Sequence, residues 1–140
     1  MNKHVELAAD YFPSEDEEFM CDRHKEYFKN KLNDWKESIL SESKETVTQM
    51  QADARNIPDL ADRASEETDR ALELRTRDRQ RKLISKIDAA LRRIEEDTYG
   101  YCEDTGNPIS LRRLDARPIA TLSLEAQERH ERREKVYRDD

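Results

Sequence analysis

From Phe28 onward, apolar residues return at mostly three- and four-residue steps: Phe28, Leu32, Trp35, Ile39, Val47, Met50, Ala54 and Ile57, with one beat missing at Ser43. That spacing predicts a helix with a single apolar stripe, suited to a coiled-coil seam. Asp22 is its expected N-cap. A helix from Asp22 to Asn56 would extend about 50 Å at about 1.5 Å per residue. Pro58 cannot continue it, and pushes Ile57 out of helical geometry. A second helix is expected to begin near Asp59 or Asp62 and to run to about Thr98, with a seam of Ala64, Ala71, Leu74, Ile84, Ile87, Leu91 and Ile94. The short connection makes the two helices antiparallel neighbours. Between Arg75 and Lys82 there is no apolar residue, so that stretch is expected to be solvated or to face a charged partner.

Both glycines follow residue 98, in Tyr99-Gly100-Tyr101-Cys102 and Thr105-Gly106-Asn107-Pro108. They predict two turns around a small, strand-bearing head. Leu111 to Ala116 reads as a helical turn stopping before Pro118, and a closing helix from Leu124 to Tyr137 is capped by Ser123. Ahead of the long helices, Tyr11 and Phe12 are expected to dock on a neighbouring core. The expected class is therefore mainly α: a long antiparallel coiled-coil hairpin, a small zinc-ribbon-like head lacking zinc, and a C-terminal helix. The expected divisions are a lead-in over 1–21, the hairpin over 22–98 with its tip at 57–64, and the head with its helix over 99–140.

Composition supports an extended hairpin over a compact globule. Charged residues make up 42% of the 140 and hydrophobic ones 34%, too little apolar material for a single globular core of this length. The net charge of −7 disfavours nonspecific binding to nucleic-acid backbone, so direct DNA binding is not expected. No run approaches a membrane span and no signal-peptide profile opens the chain, so a cytoplasmic protein is expected. Two cysteines, Cys21 and Cys102, make a weak disulfide framework.

Three features could carry chemistry. At the tip, Asp59 and Asp62 are either helix caps or carboxylates presented to a partner. In the head, a frame of two close pairs reads Cys102-x-x-Thr105 and Ser123-x-x-Ala126. Tetrahedral zinc takes four strong ligands, and this frame keeps one thiolate; His130 is the nearest histidine. Structural zinc is therefore not expected, and Cys102 reads as a small buried side chain. The third feature is basic: Arg75, Arg77, Arg79, Arg81, Lys82 and Lys86 on the second helix, and Arg112, Arg113 and Arg117 in the head. Most would be a solvated face, but a few could clamp a phosphate. With no Gly-rich phosphate loop, nucleophile elbow or paired His/carboxylate metal signature, an enzyme is not expected.

The stretches Pro58-Asp59-Leu60-Ala61-Asp62-Arg63-Ala64, Leu72-Glu73-Leu74-Arg75-Thr76-Arg77-Asp78-Arg79, Lys82-Leu83-Ile84, Tyr99-Gly100-Tyr101-Cys102 and Leu111-Arg112-Arg113-Leu114-Asp115-Ala116-Arg117-Pro118 resemble the DksA/TraR family of bacterial transcription factors, in its zinc-independent branch. The resemblance covers nearly the whole chain and is weakest over the first twenty residues. It implies a monomer that binds RNA polymerase, inserts its coiled coil through the secondary channel, and destabilises open promoter complexes. Initiation at ribosomal RNA promoters falls and initiation at some amino-acid biosynthesis promoters rises, with the alarmone ppGpp as effector. The family's tip aspartates match Asp59 and Asp62, and its small tip residue matches Ala64. Its alarmone site matches Leu83, Lys86 and Arg117, while a lysine of that site falls at Gln127. A neutral amide there implies a weaker charge attraction for phosphate.

Two other readings stand beside this one. A Gre-type transcript-cleavage factor would use tip acids to hold a catalytic metal in the polymerase. A coiled-coil adaptor would make no polymerase contact and would self-associate through its seam.

Overall fold

The computed structural model describes residues 5–55 and 60–138. Four helices lie among them: α1 (Asp22–Arg55), α2 (Leu60–Glu95), α3 (Leu111–Ala116) and α4 (Leu124–Arg138). Of the expected tip at 57–64, Ile57, Pro58 and Asp59 fall within the segment 56–59, which lies outside the described residues. The chain divides into two units, residues 33–86 and the remainder.

Unit 33–86 pairs the distal part of α1 with the distal part of α2. Ile39 is buried, and Trp35, Ser43 and Val47 are half-buried, as their spacing predicts. On α2 the half-buried row is Glu66, Arg70, Glu73, Arg77, Gln80 and Ile84, in strict three- and four-residue steps. This corrects the expected seam, because Ala64, Ala71 and Leu74 are exposed, Leu74 by 47%. A heptad carried back from Ile84 and Ile87 arrives at Arg77 and Gln80, then at Arg70 and Glu73. The interval from Leu74 to Ile84 breaks that phase. The missing apolar beat at Ser43 is filled by a hydrogen bond: its hydroxyl donates to Gln80 Oε1 at 2.6 Å.

The other unit holds the main core. Phe28, Leu32, Ile87, Ile94, Tyr99, Ile109 and Leu114 are buried there. The lead-in docks on it as expected: Tyr11 and Phe12 pack edge-on against Tyr27, and Phe19 against Tyr101. Asp22 is the first residue of α1 and not its cap, since the Lys25 N–H reaches the Cys21 carbonyl. Its carboxylate still lies where the helix dipole favours it. Helix α2 stops at Glu95, short of Thr98, through a Schellman closure. The Asp97 N–H bonds the Ile94 carbonyl, the Thr98 N–H bonds the Arg93 carbonyl, and Asp97 is left-handed with φ 62°.

In the head, α3 has the expected bounds and is capped by Ser110, whose hydroxyl accepts from the Arg113 N–H. Ser123 caps α4 in the same way, accepting from the Ala126 N–H at 3.3 Å. The expected strands reduce, among the described residues, to one bridge between Tyr101 and Pro108. Pro108 has no N–H to extend a ladder, and the Cys102 N–H to Asn107 carbonyl bond closes the turn between them.

Candidate functional site

The sequence-predicted residues fall on different elements. Asp59 lies outside the described residues. Asp62 is the third residue of α2, and Ala64 follows on the same helix, exposed. Further along α2, Leu83 is half-buried and Lys86 exposed. Of the polar stretch, Arg75, Thr76, Asp78, Arg79, Arg81 and Lys82 are exposed, and Arg77 and Gln80 take the seam. Leu72 and Leu74 stand out among them at 53% and 47% exposure.

Arg117 is the C-cap of α3, with its N–H bonded to the Arg113 carbonyl at 2.8 Å and its side chain exposed. Next to it, the Pro118 carbonyl accepts from the buried Tyr99 hydroxyl at 2.8 Å. Gln127 sits on α4, where its amide donates to Glu131 at 3.2 Å.

The zinc-like frame converges on one sulfur. Burial pushes the Cys102 thiol up, but hydrogen bonds outweigh it: the Ser123 backbone N–H, the Thr105 and Ser123 hydroxyls, and the Thr105 N–H bring it down to about 6. Ala126, in the fourth position, is fully buried and fills its corner with a methyl group. His130 is turned to Asp104, with Nε2 2.7 Å from Oδ2. One thiolate, two hydroxyls and a methyl do not make a tetrahedral zinc set. The same turns that would present thiolates to a metal instead present donors to Cys102.

A second cluster brings a carboxylate oxygen of Glu17, the Cys21 sulfur and a ring nitrogen of His24 within 4.8 Å of one another. Its groups are already engaged. His24 Nδ1 accepts from the Met20 N–H, which leaves Nε2 to donate to the Ser14 carbonyl, each at 3.2 Å. Glu17 accepts from the Tyr11 hydroxyl, the Ser14 N–H and the Cys21 thiol, and the first two hold its carboxyl below the ordinary range. These bonds latch residues 11–24 together and leave no lone pair on the imidazole for a cation.

Sequence reasoning missed a third cluster. Asp115 Oδ1 accepts from the Tyr27 hydroxyl at 2.7 Å and from Lys31 Nζ at 2.5 Å. Burial raises the Asp115 carboxyl, but the Lys31 and Tyr27 bonds hold it below its usual value. Burial and the bond to Asp115 push the Tyr27 phenol up to about 12. Asp115 is more than eighty positions from Tyr27 and Lys31 in the chain, and those two lie off the apolar stripe. No local pattern announces the triad.

A two-helix hairpin joined to a head whose turns retain a zinc-finger frame without its ligands defines a helical-hairpin protein with a degenerate zinc-finger head. Residues 24–94 match the model for the DnaK suppressor protein DksA, N-terminal domain, and residues 97–132 match the prokaryotic dksA/traR C4-type zinc finger. The chain is 72% identical over 132 residues to the RNA polymerase-binding transcription factor DksA of Caulobacter vibrioides, covering 94% of this chain and 93% of that one. It is 44% identical over 119 residues to the protein of the same name in Escherichia coli K12, covering 85% and 79%. The structure of transcription factor DksA2 from Pseudomonas aeruginosa superposes with a TM-score of 0.77 at 38% identity, covering 84% of this chain and 90% of that one. The chain belongs to the DksA/TraR family.

Proposed function

We propose that the protein is a monomeric transcription regulator that binds RNA polymerase through its secondary channel and destabilises open promoter complexes. It lowers initiation at ribosomal RNA promoters and raises it at some amino-acid biosynthesis promoters. The reading is supported above all by the 72% identity, over 94% of the chain, to a relative named for polymerase binding. On this reading Asp59 and Asp62 act as charges placed near the polymerase active site, Ala64 permits close approach, and the protein has no catalytic step of its own. It binds no promoter DNA directly, consistent with a net charge of −7. The effector is ppGpp, with Lys86 and Arg117 as cations for its phosphates and Leu83 as an apolar contact. Gln127 supplies a hydrogen bond where charge would bind phosphate more strongly. The protein works without zinc, because its donor set lacks the ligands.

The test is the half-life of polymerase open complexes on a ribosomal RNA promoter. Wild type shortens it, and Asp62→Asn binds polymerase without doing so. An unchanged half-life with folded, polymerase-bound wild type overturns the reading, and shortening of RNA in stalled elongation complexes would point to a cleavage factor instead.

A further inference from the structure

The head arginines are unusual in how they are kept free. Arg112 and Arg117 are exposed, and among the described residues neither makes an ion pair. Yet Asp115 lies one helical turn after Arg112 and two residues before Arg117. An acid three positions from an arginine on a helix is a ready partner for it. Here the acid is taken by α1, because Tyr27 and Lys31 both bond Asp115 Oδ1. The backbone around Arg117 is fixed from other sides, by the Arg113 carbonyl and by Tyr99 through Pro118. Arg113 is itself committed, donating from Nε to the Leu122 carbonyl at 2.9 Å.

We propose that Tyr27 and Lys31 are positioning residues, which hold the Asp115 carboxylate away from Arg112 and Arg117 so that these guanidinium groups meet a phosphate-bearing nucleotide unneutralised. The inference rests on the proposed role of Arg117 in alarmone binding and adds the residues that keep it available. The physical reason is competition. A carboxylate and a phosphate seek the same fork of N–H donors, and a local acid has the higher effective concentration. Removing Lys31 releases the acid to the arginines, and removing the acid as well restores them.

The experiment measures the ppGpp concentration giving half of its maximal effect on open-complex half-life, with full-length protein and polymerase. Lys31→Met is expected to raise that concentration about 5- to 20-fold, with the full effect recovered at saturation. Tyr27→Phe, which keeps the ring packing against Tyr11 and Phe12, is expected to raise it less. In an Asp115→Asn background, Lys31→Met is expected to change nothing further. A purely structural role would lower the effect at every nucleotide concentration and would not be rescued by Asp115→Asn. If Lys31→Met and Tyr27→Phe leave the half-maximal concentration in place, or Asp115→Asn fails to rescue, the inference is overturned. Arg117→Ala separates the two levels. If it retains the full nucleotide response, the alarmone role of Arg117 falls and the positioning role with it. If Arg117→Ala abolishes the response while Lys31→Met is silent, only the positioning role falls.

Discussion

Ser43 and Gln80 meet across unit 33–86 through a 2.6 Å hydrogen bond, at the position where the apolar stripe of α1 misses a beat. A polar pair at a seam position fixes register at a cost in stability, since each group must give up water for one bond. Replacing both, as Ser43→Ala with Gln80→Leu, is expected to raise the unfolding free energy by about 1 kcal/mol and the melting temperature by about 3 °C. Chemical denaturation followed by circular dichroism measures this. Gln80→Leu alone leaves the Ser43 hydroxyl short of a partner and is expected to gain less. A double variant less stable than wild type would show that the pair contributes more than its register.

Gly100 is held where a side chain would strain the chain twice. Its φ is +92°, and a Cβ there would lie 3.1 Å from Met20 Cε and 3.1 Å from Phe19 Cζ. Those two side chains carry the latch of residues 11–24 onto the head, so the glycine permits the docking. Gly100→Ala is expected to destabilise by about 1–2 kcal/mol, mostly through the backbone conformation. Gly106, with φ +73° and nothing within 4 Å, is expected to lose only the backbone part of that cost when changed to Ala. Equal losses at the two sites in urea melts would refute a packing role for Gly100.

The starts of α3 and α4 are legible in the sequence because Ser110 and Ser123 act locally, each through a cap. The end of α2 carries no such local signal, because its left-handed C′ residue is Asp97, which lacks the glycine signature. The outer seam departs from the apolar pattern because Ala71 and Leu74 are apolar yet exposed, whereas Arg77 and Gln80 are polar yet half-buried. Hydropathy names such residues wrongly, and only the heptad phase from Ile84 and Ile87 recovers them. The donor frame at Cys102 was legible by spacing. The triad of Tyr27, Lys31 and Asp115 was not, since its members meet only after the head folds onto α1. The likeness to known proteins, and not local chemistry, carried the functional reading of Asp59 and Asp62.

Cys102 gives the structure a pH signature. Its folded-state thiol is lowered to about 6, against about 8.5 for an unperturbed thiol. A group lowered on folding contributes stability that is fully present above the unfolded value and is lost as pH falls through the folded one. Unfolding free energy is therefore expected to decline from about pH 8.5 toward pH 6 by this contribution. In a Cys21→Ser background, thiolate ultraviolet absorbance should titrate near the lowered value, and Ser123→Ala should move the midpoint upward by removing a donor. Should the midpoint stay at the ordinary thiol value in both proteins, burial outweighs the hydrogen bonds.

The donor frame makes zinc dependence a matter of three side chains. In the wild type, Thr105 and Ser123 offer neutral hydroxyls and Ala126 offers nothing, so no metal-binding free energy enters folding. A strong chelator is expected to leave the melting temperature unchanged, and added zinc is expected to leave it unchanged as well. The combined variant Thr105→Cys, Ser123→Cys and Ala126→Cys restores four thiols on the turns that now direct donors at Cys102. Ala126 is fully buried, so its substitution needs local repacking and costs about 1–3 kcal/mol before metal is added. Zinc binding should more than offset that, because a four-thiolate site contributes about 10 kcal/mol or more to folding near pH 7. The variant should take up one zinc per chain and lose stability on chelation. A chelator-induced drop in the wild type would falsify the metal-free assignment, and a triple variant that folds yet takes up no zinc would show that the turns no longer hold tetrahedral geometry.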